Sequence, residues 1–302
     1  MEVEHIKELL HFHDLAWVPA KKLDAMASIF AARKAAGEML PIEPEDMASR
    51  MDPARLLPSA ASVFVAFEQV PFSQEEPEAM EGYGRLASFS RDVDYHILLN
   101  EKMEALERYL QGVYPRVQWH RQVDTGPLYE RGFAAMTGKG FIGRNGSFIH
   151  DRLGSYVAIG ILLTNLEGGI SGEPKGSCGS CTACVDACPG RAIDRNGVLH
   201  PHRCRSWITQ KREELTDGER AVMADWLYGC DVCQMVCPKN RGIDAVYRSD
   251  DPVEHIFLDG IEEQSNRTFK KRYGRLSGSW RGKRQWVKNA RVIRRYFNER
   301  KR

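Results

Sequence analysis

Apolar residues recur at helical spacing over Val3–His11 and again over Lys21–Ala36, which predicts two amphipathic helices at the start of the chain. A polar, proline-bounded stretch, Arg50-Met51-Asp52-Pro53-Ala54-Arg55-Leu56-Leu57-Pro58, leads to Ala61–Phe67, a short and nearly all-apolar run that reads as a buried strand. Pro71–Gly84 is acidic and broken by Gly and Pro, the pattern of a surface loop. Tyr95–Leu110 then carries its apolar residues on one helical face, and Arg116–Val123 follows as a strand. Asp124-Thr125-Gly126-Pro127 is expected to open a helix running through Met136, with Pro127 in the first turn, where its missing N–H costs nothing. Phe141–Ile149 and Ser155–Leu163 read as strands around a turn at Asp151–Gly154, with Arg144-Asn145-Gly146-Ser147 a polar turn between strands. Further on, Arg205–Glu214 and Glu219–Tyr228 are expected helices. The last helix, Lys283–Asn298, places Trp286, Val287, Ala290, Ile293 and Phe297 along one side.

Strand and helix alternate up to about residue 170, which indicates an α/β (or α+β) domain over residues 1–170. The glycine-rich Gly168–Gly176 links it to a module over residues 171–245, and a basic helical segment fills 246–302. The longest apolar run, Tyr156–Leu163, is too short to cross a bilayer, and the first residues lack a signal peptide's basic-then-apolar pattern. A cytoplasmic protein with no membrane contact, a monomer, is therefore expected. Net charge is only +2 over 302 residues, but it is unevenly spread. Residues 267–302 hold fifteen Lys and Arg against Glu299 alone, a balance of +14 that leaves about −12 on the rest. A basic end on an acidic body suggests a polyanionic partner.

All eight cysteines fall between Cys178 and Cys237. They form Cys178-x-x-Cys181-x-x-Cys184-x-x-x-Cys188-Pro189, then Cys204, then Cys230-x-x-Cys233-x-x-x-Cys237-Pro238. Three closely spaced thiolates can hold one iron–sulfur cube, and in two-cluster ferredoxins the cysteine before the proline serves the other cube. The expected assignment is Cys178, Cys181, Cys184 and Cys237 for one [4Fe–4S] cluster. Cys204, Cys230, Cys233 and Cys188 then hold the second. Structural zinc also uses C-x₂-C knuckles but needs neither three cysteines in seven residues nor a doubled Cys-Pro ending. Gly138-Lys139-Gly140-Phe141-Ile142-Gly143 fits a dinucleotide fingerprint only in letters, because it follows a helix and precedes a strand, the reverse of the required order.

Two cubes form a one-electron wire, and the polar residues of Val123–Gly132, Asp124, Glu130 and Arg131, are the candidates for what that wire feeds. The local alternative is that Asp124 caps a helix and Arg131 lies on the surface. Several motifs then occur in order along the chain: Arg50-Met51-Asp52-Pro53 with Leu56-Leu57-Pro58, Asp94-Tyr95-His96, Asp124-x-x-Pro127-x-x-Glu130-Arg131, and Gly140-Phe141-Ile142-Gly143-Arg144-Asn145. Gly154-Ser155-Tyr156, Arg203-Cys204-x-Ser206 and Gly229-Cys230-Asp231 follow. With the cysteine set, these resemble the epoxyqueuosine reductase family, cobalamin-dependent iron–sulfur enzymes of queuosine biosynthesis in tRNA.

That resemblance implies reduction of an epoxide to an alkene by a low-valent cobalamin fed from two [4Fe–4S] clusters. It implies Asp124 as the proton donor, with a raised pKa, and Arg131 as a positioning group. Arg50, Asp124, Asn145, Ser147 and Ser206 are the implied corrinoid contacts. The implied partners are tRNA, met through the basic C-terminal segment, and an external one-electron donor such as a flavodoxin or ferredoxin. Family members continue into a helical-repeat domain that this chain is expected to lack, and Asp92 stands where they have glycine. Two other readings compete: a related corrinoid reductase of a small molecule, as in reductive dehalogenation, and a plain ferredoxin-type electron carrier.

Overall fold

The computed structural model describes residues 2–73, 75–244, 249 and 252–301. In chain order the elements are α1 (Val3–Leu9), β1 (Asp14–Pro19), α2 (Ala27–Ala35), β2 (Ser62–Gln69), β3 (Tyr83–Leu86), α3 (Tyr95–Val113), β4 (Trp119–Val123), α4 (Glu130–Ala135), β5 (Gly140–Ile142), β6 (Phe148–His150) and β7 (Val157–Thr164). There follow α5 (Ala183–Ala187), α6 (Arg205–Ile208), α7 (Asp217–Met223), β8 (Trp226–Tyr228), α8 (Val232–Met235), β9 (His255–Phe257), α9 (Asp259–Glu263), α10 (Asn266–Tyr273) and α11 (Lys283–Arg300). Two compact units share them: residues 1–69 with 95–181, and residues 70–94 with 182–302.

The first unit is built on a four-stranded sheet ordered β1-β2-β7-β4, antiparallel throughout. β2 is buried at every position and pairs with β7 from Ser62↔Thr164 to Gln69↔Val157. Period-2 alternation sends Val63, Val65 and Phe67 with Ile159, Ile161 and Leu163 into one core, where Phe30, Leu128 and Phe133 close it. α3 packs on the sheet through Leu99, Met103, Leu106 and Leu110, its single buried stripe. β5 and β6 form a hairpin, Gly140↔His150 to Ile142↔Phe148, around Gly143–Ser147.

In the second unit β3 lies between β8, parallel to it, and β9, antiparallel. Leu86, Leu227, Ile256, Leu258, Phe269, Tyr273, Trp286, Ala290 and Ile293 make its core. The Trp286 ring meets Phe269 and Tyr273 at 5.2 Å, and its indole N–H donates to the Gly278 carbonyl at 2.9 Å. Asn289, fully buried, donates to the carbonyls of Thr209 and Leu227. The C-terminal helix is thus a core element of this unit.

Several expectations are corrected. The helix expected from Asp124 begins only at Glu130, because Asp124 adopts φ 55° and residues 124–129 form a loop, so Pro127 stands outside any first turn. The helix over Arg205–Glu214 stops at Ile208. That over Glu219–Tyr228 stops at Met223, since Ala224 turns to φ 51° and Trp226–Tyr228 pairs with β3 as a strand. The stretch expected as one strand, Phe141–Ile149, is the β5–β6 hairpin. The described residues of Pro71–Gly84 form a loop up to Gly82 as expected, and only the last two enter β3, in the second unit. β1 went unforeseen. The units part at Cys181/Thr182 rather than at residue 170, and the glycine-rich linker is held to the first unit by Ile170 N–H on the Trp17 carbonyl and Gly172 N–H on that of Met136. The expected 245/246 boundary lies outside the described residues. Among the described residues no helix is long and apolar enough to cross a membrane.

Candidate active site and cysteine centre

Asp124 leaves the end of β4 in the left-handed region, a conformation that costs a non-glycine residue energy and persists only where its surroundings impose it. Those surroundings are visible. Its N–H donates to Glu130 Oε1 at 2.7 Å, and the same oxygen accepts from the amide of buried Gln122 at 3.0 Å. Gln122 also clamps Leu128 twice, through its Nε2 to the carbonyl (2.9 Å) and through its Oε1 from the N–H (3.0 Å). The loop between β4 and α4 is therefore tied at both ends by two side chains.

Freed of its own backbone turn, the Asp124 carboxylate meets His96 Nε2 at 3.1 Å, 28 residues away in sequence. Burial pushes this carboxyl up, but the His96 hydrogen bond and charge, Arg131 and a Tyr95 hydrogen bond outweigh it and hold it below the ordinary carboxylate value. With 61 % of the side chain exposed, solvent screens these effects. The raised pKa implied for Asp124 is one that burial against a corrin face would produce, and the protein's own groups hold the carboxyl low. Glu130 beside it is the carboxyl that is raised here: burial and the Asp124 charge push it up to about 7. Arg131 donates to the Gly146 carbonyl at 2.8 Å, joining α4 to the β5–β6 turn.

The other predicted contacts fall as follows. Arg50 sits beneath the same loop, its carbonyl accepting the Tyr129 N–H at 2.8 Å and its guanidinium 4.9 Å from the Phe30 ring and 3.4 Å from Glu43. In the β5–β6 turn, Gly146 takes φ 76° and Asn145 Oδ1 accepts from the Ser147 N–H at 3.1 Å. Asn145 Nδ2 is buried and has no hydrogen-bond partner among the described residues. The first unit thus gathers Asp124, Arg131, Arg50, Asn145 and Ser147 around one loop and one turn. Ser206 is in the second unit, on α6, where its carbonyl accepts from Thr209 and Gln210. His96, Tyr95 and Gln122 were not singled out as site residues. The Asp-Tyr-His motif was the available signal for two of them, and Gln122 gave none.

Six cysteines lie in the second unit. Cys188, Cys204, Cys230 and Cys233 are close enough for each to feel others' charge, as α5 packs on α8. Burial pushes the Cys230 thiol up to about 12 and raises Cys204 and Cys233 as well. Such thiols give up their protons only to a cationic core that takes the protons' place. Backbone N–H groups are already aimed at sulfur: Ala192 on Cys188 at 3.2 Å, Ser206 and Trp207 on Cys204, and Val232 on Cys230. Cys184 and Cys237 belong to this unit also, while Cys178 and Cys181 end the first, where Arg144 N–H donates to Cys178 Sγ at 3.3 Å. Among the described residues no three His, Cys, Asp or Glu side chains gather as they would around a single ion.

Comparison with known proteins identifies the cysteine region and the family. Residues 177–240 match the 4Fe-4S double cluster binding domain, and residues 50–125 match the family described as epoxyqueuosine reductase QueG, DUF1730. The epoxyqueuosine reductase of Staphylococcus aureus is 34 % identical over 292 residues, covering 94 % of this chain and 77 % of its own. That of Bacillus subtilis is 32 % identical over 94 % and 76 %. The solved epoxyqueuosine reductase of Streptococcus thermophilus superposes with a TM-score of 0.91 at 29 % identity, over 99 % of this chain and 82 % of the other. An epoxyqueuosine reductase solved with an epoxyqueuosine-modified tRNA-Tyr stem loop gives 0.89 at 32 %, over 98 % and 82 %. By these relatives, and by the motifs that converge on Asp124, the chain belongs to the epoxyqueuosine reductase family.

Proposed function

We propose that this oxidoreductase reduces epoxyqueuosine to queuosine in tRNA, with Asp124 delivering a proton to the departing epoxide oxygen. Turning an epoxide into an alkene consumes two electrons and two protons and releases water. The observation that carries the reading is the Asp124–His96 contact, which offers a donor and a group to resupply it. Asp124 ionised is the resting form; a substrate that displaces water from its exposed carboxyl raises its proton affinity. His96 then passes a proton to Oδ2, which arms the donor for the first transfer, and a proton taken up from solvent by His96 arms it for the second. Arg131 is spent on the Gly146 carbonyl, and its role is to hold the turn against the loop.

The residues present fit the groups the family uses. Cys204, Cys230 and Cys233 with Cys188, and Cys178, Cys181 and Cys184 with Cys237, would hold two [4Fe–4S] clusters, which supply electrons one at a time. Arg50, Asn145, Ser147 and Ser206 would hold a corrinoid, which supplies a low-valent metal for the C–O cleavage; the unpartnered Asn145 amide is the feature of this chain that such a ligand satisfies. An external one-electron donor of the flavodoxin or ferredoxin class refills the clusters. The test is expression in a bacterium deprived of its own epoxyqueuosine reductase, followed by nucleoside analysis of its tRNA. Restored queuosine, lost again with Asp124→Asn, is the expected result. Persistent epoxyqueuosine beside fully loaded protein overturns the proposal.

A further inference from the structure

The chain's positive charge is concentrated in its last two long helices, and their arginines and lysines are treated differently. On α11, Arg291 is paired with Glu262, Arg294 with Asp259 and Glu262, and Arg295 with Glu299. Lys283 donates to the carbonyls of Glu262 and Gln264, and Lys288 to those of Lys211 and Glu213. Even the recess of about 480 Å³ between Arg291, Arg294, Arg295 and Asn298 has Glu299 in its wall. Three of the seven cations of α11 are thus paired with acids, and two more are held by backbone carbonyls.

α10 is the opposite case. Arg267, Lys270, Lys271 and Arg272, with Arg275 just beyond, are all exposed, and none has an acidic partner among the described residues. Arg267, Lys270 and Lys271 stand at i, i+3 and i+4, where like charges on a helix repel. The helix cannot turn to relieve this, because Phe269 and Tyr273 are buried against Trp286. Just after it, Trp280 is 57 % exposed, pinned by its N–H to the Tyr228 hydroxyl at 2.9 Å, with the Arg281 guanidinium 4.1 Å from its ring. Arg281 Nε and Nη2 find no acceptor among the described residues. Burial and the nearby Arg212 push the Arg281 pKa down.

We infer that the exposed basic face of α10, with the Trp280–Arg281 turn, is the surface that takes the phosphate backbone of the RNA, and that α11 is not. This rests on the tRNA substrate proposed above. An unanswered row of cations beside a fixed aromatic ring suits a phosphate chain with a splayed base to stack. An anionic membrane would instead need apolar side chains on the same face, and those of α10 are committed to the core.

The test is fluorescence anisotropy of a labelled tRNA stem-loop with the full, cluster-loaded chain at several salt concentrations. The triple variant R267Q/K270Q/K271Q binds at least tenfold more weakly, and the slope of log K against log salt falls by about 2, at roughly 0.7–0.9 for each phosphate no longer neutralised. Trp280→Ala weakens binding with the slope unchanged. The matched triple R291Q/R294Q/R295Q stays within about twofold of the parent, both triples being screened for an unchanged unfolding midpoint. Should the α10 triple fold poorly, Lys271→Glu alone serves, with a several-fold loss expected. An α10 variant that binds like the parent, or a loss that follows α11, overturns the assignment while leaving the substrate reading intact. If the parent chain binds no RNA at all, the substrate reading fails and this surface with it.

Discussion

Two acids and a histidine are linked at the β4–α4 loop, and only space reveals how. Glu130 titrates about 7 in the folded protein against an ordinary carboxylate value in the unfolded chain, because burial and Asp124 both oppose its charge. Below the ordinary value it is protonated in both states and its full contribution to stability is present. That contribution is lost as pH rises toward and through 7, where the folded protein keeps a proton the unfolded chain has released. Glu130→Gln keeps an oxygen for the Asp124 and Gln122 N–H donors and removes the charge. Thermal unfolding at pH 5 and pH 8 then shows a smaller decline than the parent, with a gain at pH 8 of at most about 3 kcal/mol. Parallel curves for the two proteins exclude this account. His96→Ala is expected to lower turnover about 10- to 100-fold, since it removes the group that resupplies Asp124, as single-turnover assays would read. Asp124 and Arg131 were legible as a motif. The partnership with His96 was not, because hydrogen bonds across the unit depend on the loop's left-handed entry at Asp124, which no propensity favours.

Long periodic elements were readable and short ones were not. α3 and α11 carry an apolar stripe over several turns, and β2 and β7 are continuous apolar runs, so pattern alone finds them. β8 is three residues whose strand character exists only because β3 lies beside it, and α4 is shortened by the Glu130 and Gln122 contacts that hold the preceding loop. The basic segment illustrates the cost of reading charge without burial. Trp286 is completely buried, touches two aromatic rings and donates to Gly278, so Trp286→Ala should cost about 3–5 kcal/mol, measured by denaturant unfolding. For the same reason, removing Lys283–Arg302 is expected to leave an aggregated second unit rather than a folded protein impaired in RNA binding. A soluble, cluster-loaded truncation recovered in normal yield contradicts that. At the start of α7, Thr216 and Glu219 form a reciprocal capping box, and Thr216→Ala should cost about 1 kcal/mol by the same measurement.

At the scale of the molecule, residues 70–94 leave the first sheet after β2, supply the central strand of the second unit's sheet, and return to begin α3. Within that excursion the Ser88 N–H donates to buried Asp231, between Cys230 and Cys233. The segment that follows the acidic loop is therefore tied to the chain between two of the cysteines. The proposed grouping of cysteines rests on spacing along the chain, which a sequence displays, whereas this tie rests on a strand pairing far apart in sequence. The assignment of Cys188 to the group of Cys204, Cys230 and Cys233 makes a prediction about metal content. Cys188→Ala and Cys237→Ala each remove the fourth ligand of a different cube, so each single variant, reconstituted anaerobically, should fall from about eight iron atoms to about four. The two losses should differ in kind. In Cys188→Ala the surviving cube is ligated by Cys178, Cys181, Cys184 and Cys237, so adding Cys181→Ala takes the iron to nearly none, while adding Cys230→Ala changes little. In Cys237→Ala the dependence reverses. If instead Cys230→Ala strips the remaining iron from Cys188→Ala and Cys181→Ala strips it from Cys237→Ala, the crossed assignment is wrong, and Cys188 and Cys237 each belong with the three cysteines nearest in sequence.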